Sequence, residues 1–101
     1  MIAVALAPAP PPLVRSPLTP AQSGRTFRLA KGGTATLRLP GGWSWTEPTA
    51  SSRAVELTPV EFFVDPGYSE WKLDARARGT VTIRSVGRPG GRRFVVTLRV
   101  V

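Results

Sequence analysis

Residues 69–78, SEWKLDARAR, alternate without a break: Trp71, Leu73, Ala75 and Ala77 fall on one side, Lys72, Asp74, Arg76 and Arg78 on the other. Successive side chains of a strand point to opposite faces, so this stretch reads as a half-buried antiparallel strand. The same period runs outward from it in both directions. Upstream, RTFRLA turns Phe27 and Leu29 inward, and GTATLRL turns Ala35, Leu37 and Leu39 inward. RAVELT offers Val55 and Leu57, and VEFFV offers Val60, Phe62 and Val64. Downstream, TVTIRSV points Val81 and Ile83 inward, and RRFVVTLRVV points Phe94, Val96, Leu98 and Val100 inward.

Turn chemistry separates the runs at Lys31-Gly-Gly33, Pro40-Gly-Gly42, Asp65-Pro-Gly67, Arg78-Gly79 and Gly87-Arg-Pro-Gly-Gly91. Gly and Pro between alternating segments mark hairpins and loops. Seven or eight short strands over residues 25–101 predict an all-β, immunoglobulin-like antiparallel β-sandwich, with an OB-type or SH3-type barrel as the competing architecture. The last strand should be the longest and central.

Residues 1–24 hold six of the eleven prolines, a single charge and no aromatic side chain. That composition predicts a disordered Pro-rich linker or a truncated export segment, with the sandwich domain beginning at residue 25. The opening MIAVALA is apolar and ends in Ala-x-Ala, as the end of an export signal does, although it is too short to be a whole signal or to span a bilayer. An exported, periplasmic or cell-surface location is the expectation.

The 101 residues suit one modest core. Neither cysteine nor histidine occurs, so disulfides, thiolate metal sites, a cysteine nucleophile and a histidine base are excluded. The carboxylates Glu47, Glu56, Glu61, Asp65, Glu70 and Asp74 show neither calcium-loop spacing nor an acid–base pair. The expectation is a non-enzyme without cofactor or metal. The formal charge of +8, with 14 Lys and Arg against 6 Asp and Glu, favours anionic partners: nucleic acid, anionic lipid or an acidic protein.

The order KGGTATLRLP, GWSW, DPGYSEWKLDARARGTVTIRSVGRPGGRRFVVTLRVV resembles the chagasin-like inhibitors of papain-family cysteine proteases, from about Phe27 to Val101. In that family three loops at one end of an immunoglobulin-like sandwich form a wedge that plugs the protease cleft. The first carries Asn-Pro-Thr-Thr-Gly-Tyr-x-Trp, the second is Gly-rich and the third carries Arg-Pro-Trp. Gly42, Trp43 and Trp45 match the end of the first pattern, but only Leu39, Pro40 and Gly41 precede them, so its hydroxyl donors are missing. The second loop falls at Asp65, Pro66, Gly67 and Tyr68 without a glycine cluster. Arg88 and Pro89 match the third, with Gly90 at its Trp position. Two of the three motifs are thus degraded. The resemblance implies a monomeric, non-catalytic inhibitor that occludes a papain-like protease through Pro40–Trp43, Asp65–Tyr68 and Arg88–Gly90.

Two other functions fit the same residues. One is a bacterial immunoglobulin-like structural or interaction module of an exported protein, with no protease target. The other is a basic β-domain binding nucleic acid, if the outward Arg28, Arg38, Arg76, Arg78, Arg84 and Arg99 share a sheet. Trp45 and Trp71 read as core. Trp43 divides evenly between core and a contact at the loop end, and Tyr68 between a binding-loop aromatic and a strand cap.

Overall fold

A computed structural model of the chain describes residues 10–101, so the MIAVALA segment lies outside the described residues. Eight strands follow in order: β1 (Thr26–Leu29), β2 (Thr34–Pro40), β3 (Ser44–Trp45), β4 (Thr49–Ala50), β5 (Val55–Val60), β6 (Tyr68–Ala75), β7 (Gly79–Arg88) and β8 (Arg92–Val100). They form two sheets. One runs β1-β8-β7-β3, with β4 pairing farther along β7; the other is β2-β6-β5. The period of two decides which side chains lie between them. Phe27, Leu29, Leu37, Leu39, Leu73, Val81, Ile83, Phe94, Val96 and Leu98 are all buried in one core. This is the immunoglobulin-like sandwich that the alternation predicts. The final strand is interior, between β1 and β7, though β7 is longer by one residue.

Several expectations need correction. β1 pairs β8 in parallel, where antiparallel pairing was expected throughout. The two strands come from opposite ends of the folded chain and need no direct connection, so either direction is open to them. Ala77 is exposed, because β6 ends at Ala75 and the Arg76 and Ala77 amides turn to the Ala54 carbonyl. Trp45 and Trp71 pack on the core while keeping part of each ring in solvent.

The VEFFV run departs most from its reading. Val60 and Phe62 are 37% and 42% exposed, and Val64 and Phe63 80% and 110%. β5 is an edge strand that pairs only with β6, and it ends at Val60 just after Pro59. Val60 continues the strand of Val55 and Leu57 on its outward parity, opposite Glu70, and Pro59 offers no amide to extend the ladder, so the chain leaves the sheet before the aromatic residues can reach the core.

The Pro-rich segment departs in the opposite sense. From Pro12 to Gly24 it is built into the sandwich rather than trailing from it. The Val14 amide donates to the Arg28 carbonyl, and the Arg28 amide to the Pro12 carbonyl, both at 2.8 Å. Four residues on, the Leu18 amide donates to the Thr36 carbonyl at 2.7 Å, and the Arg38 amide to the Leu18 carbonyl at 2.8 Å. The segment thus crosses from the β1 edge of one sheet to the β2 edge of the other, and Leu18 is 0% exposed between them. Only alternate amides of an edge strand face its neighbour, so the intervening Pro17 costs no ladder bond. A short 3-10 turn, Pro20–Gln22, capped by Thr19, then leads into β1.

Candidate functional site

The turns of the two sheets converge at one end of the sandwich. Pro40 and Tyr68 form the last rung of the β2–β6 ladder, so the first loop leaves beside the point where the second arrives. The Gly41 amide then donates to the Gly67 carbonyl at 2.7 Å. A Cβ on Gly41 would lie 2.7 Å from that same oxygen, so this backbone-to-backbone approach requires glycine. Gly67 is held in turn by Asp65, whose Oδ1 accepts its amide at 2.8 Å.

Trp45 ties the first loop to the third. Ser44 and Trp45 pair with Arg88 and Gly87 at the end of β7. The Trp45 ring lies on Gly87, where a Cβ would stand 2.9 Å from it, and its Nε1 donates to the Pro40 carbonyl at 3.0 Å. Behind it, the buried Ser85 hydroxyl donates to the Thr46 carbonyl at 2.6 Å, and the Val86 amide donates to Thr46 Oγ1 at 2.9 Å. Trp43 leans on this platform. Its ring centroid is 6.4 Å from that of Trp45 at a 41° tilt, Gly90 lies beside it, and the Arg92 guanidinium stands 5.6 Å over it. Trp43 is half-buried, so the even division of the sequence reading resolves into a ring with one supported side and one free side.

The structure therefore brings Pro40, Gly41, Gly42 and Trp43 together with Asp65–Tyr68 on one flank and Arg88, Pro89 and Gly90 on the other. Most of this tip is exposed; Trp43 and Tyr68 are the half-buried members. Tyr68 begins β6 with its ring between the Arg38 guanidinium, 4.7 Å from the centroid, and the edge-on ring of Phe62 at 5.7 Å. Glu70 accepts a 2.7 Å hydrogen bond from Arg38 Nε, which is the main cause of a raised Arg38 pKa. Arginine is charged at any accessible pH, so this bond fixes where the guanidinium lies rather than whether it is charged. A cleft of about 390 Å³ opens between Pro17, Pro20, Arg38, Tyr68 and Arg92, so the N-terminal segment walls one side of the loop end.

Sequence reasoning missed the tip formed by Phe62, Phe63 and Val64, which continues the second loop outward. Its signal was present: Pro59 and Pro66 bracket the run, and proline in a strand confines it to an edge. Among the described residues there is no group of carboxylates able to hold a metal ion, and no helix long and apolar enough to cross a membrane.

No protein-family model and no curated protein matches the chain. Solved structures share its architecture, among them these two. The crystal structure of the cysteine protease inhibitor EhICP2 from Entamoeba histolytica superposes with a TM-score of 0.67 at 18% sequence identity, covering 83% of this chain and 92% of that one. The solution structure of amebosin superposes at 0.51 with 21% identity, covering 83% and 95%. At such identities the likeness speaks for the fold, an immunoglobulin-like β-sandwich, as the alternation of the sequence predicts.

Proposed function

We propose that the protein is a non-catalytic inhibitor that occludes the cleft of a papain-like cysteine protease with its three-loop end. The observation that carries this reading is the coupling of the loops. The Gly41 to Gly67 hydrogen bond and the Trp45 to Pro40 and Gly87 contacts hold three separate turns as one rigid edge. A preorganised edge binds without the cost of ordering its loops. The chagasin-like fold supports the same reading. Rigidity compensates here for the shortened first loop, and the exposed Phe63 with the half-exposed Trp43 supplies apolar area in place of the missing hydroxyl donors.

Occlusion of this kind forms no covalent bond, and the chain should survive the encounter. Steady-state assays with papain and a small peptide substrate should give competitive inhibition, with the inhibitor still intact on a gel after overnight incubation. Non-competitive kinetics, or cleavage within residues 40–43 or 65–68, contradicts the mechanism. The shortened first loop favours one other reading, an interaction module with no protease target. That reading predicts no inhibition of any papain-like enzyme by the folded chain.

A further inference from the structure

We propose that the outer face of the β1-β8-β7-β3 sheet is a second binding surface, one that takes the phosphate backbone of duplex nucleic acid without reading its sequence. The two outer faces of the sandwich carry charge very differently. On the β2-β6-β5 sheet each cation has a carboxylate: Arg38 with Glu70, Lys72 with Asp74, and Arg76 with Glu56. These are the ion pairs among the described residues, and all lie on that side. The opposite face carries Arg84, Arg93 and Arg99, and Arg28, whose Nε donates to the Pro11 carbonyl at 2.6 Å, on the outward parity of strands whose alternate residues are buried. No carboxylate occurs in any of those strands.

The register arranges these arginines along a track. Arg93 and Arg99 lie six residues apart on β8, about 20 Å at the rise of a strand. Arg84 sits between them, one strand over, opposite Val95. Arg28 stands directly beside Arg99 in the β1–β8 pair. Like charges placed side by side destabilise a sheet, and an anion laid across them removes that cost. Thr26, Thr80, Thr82 and Thr97, with hydroxyls suited to phosphate oxygens, share the outward face with the half-buried Val86 and Val95. A guanidinium offers phosphate two parallel hydrogen bonds.

The shape selects among anions. A line of charge fits a linear polymer, and the large exposed apolar side chains near this face, Leu13 and Val101, stand only at its margins. A bilayer surface would call for apolar side chains across the face to enter the headgroups. No aromatic side chain occupies an outward position of β1, β7 or β8, so single strands gain no stacking platform and bases go unread.

Fluorescence anisotropy with a labelled mixed-sequence 20-base-pair DNA duplex and the full chain tests this directly. Four phosphate contacts predict about a hundredfold loss of affinity between roughly 50 and 200 mM salt. Arg84→Gln, Arg93→Gln and Arg99→Gln should each lower the salt slope by about one, and the triple variant should bind at least about tenfold more weakly. Arg76→Gln on the other sheet and Trp43→Ala at the loop end should leave binding unchanged. The proposal fails if the duplex does not bind at low salt, or if the folded triple variant binds like the wild type. It fails equally if phosphatidylserine vesicles are bound and the duplex is not.

Discussion

Residues 12–18 and residues 60–64 exchange the places their compositions suggest. PLVRSPL is proline-rich and nearly without pattern, yet it pairs with both sheets and contributes Leu18 to the core. VEFFV is apolar and β-prone, yet it projects into solvent beyond the end of an edge strand. Burial is decided by whether an unpaired edge is available, not by hydrophobicity alone. The β1 and β2 edges lie side by side and leave a seam that an extended chain can close, and proline is compatible with it wherever no amide is needed. Beyond Val60 the chain leaves β6: Phe62 keeps only an edge-on contact with Tyr68, and Phe63 and Val64 stand in solvent.

Stability measurements can break this comparison. The largest effect is expected from Leu18→Ala, about 2–5 kcal/mol by chemical denaturation, because it empties a fully enclosed site joining the two sheets. A loss under about 0.5 kcal/mol would show that the segment is an attached tail after all. Gly41→Ala comes next, at about 1–3 kcal/mol, since its Cβ meets backbone rather than a side chain that could yield. The smallest is Phe63→Ser, within about 0.5 kcal/mol of wild type. A large loss there would mean that the tip packs against something and is not free for a partner.

Alternation alone marked the longer strands and most of their inward residues, because each strand has one wet and one dry face; it did not assign strands to sheets, and it misplaced Val60, Phe62, Val64 and Ala77. Turn chemistry located the three loops. What the sequence could not disclose depends on tertiary placement. Leu18 stands alone among prolines, with no periodic neighbour to reveal its burial. The Gly41–Gly67 contact and the Trp45–Gly87 packing join residues distant in the chain, and nothing local marks them. Arg38 and Arg84 have the same outward parity on similar strands, yet one faces Glu70 and the other Thr49 across the register. Pairing of strands separates a neutralised face from a cationic one.

The loop end is tested most directly by titrating papain with the wild-type chain and with Trp43→Ala and Phe63→Ala, each first shown to melt like the wild type. The wild type should inhibit saturably at one-to-one stoichiometry. Each substitution should raise the inhibition constant by about tenfold or more, the usual scale for truncating an aromatic anchor of an interface. A folded wild-type protein that leaves papain fully active at high micromolar concentration, or variants that inhibit as tightly as the wild type, would contradict the account.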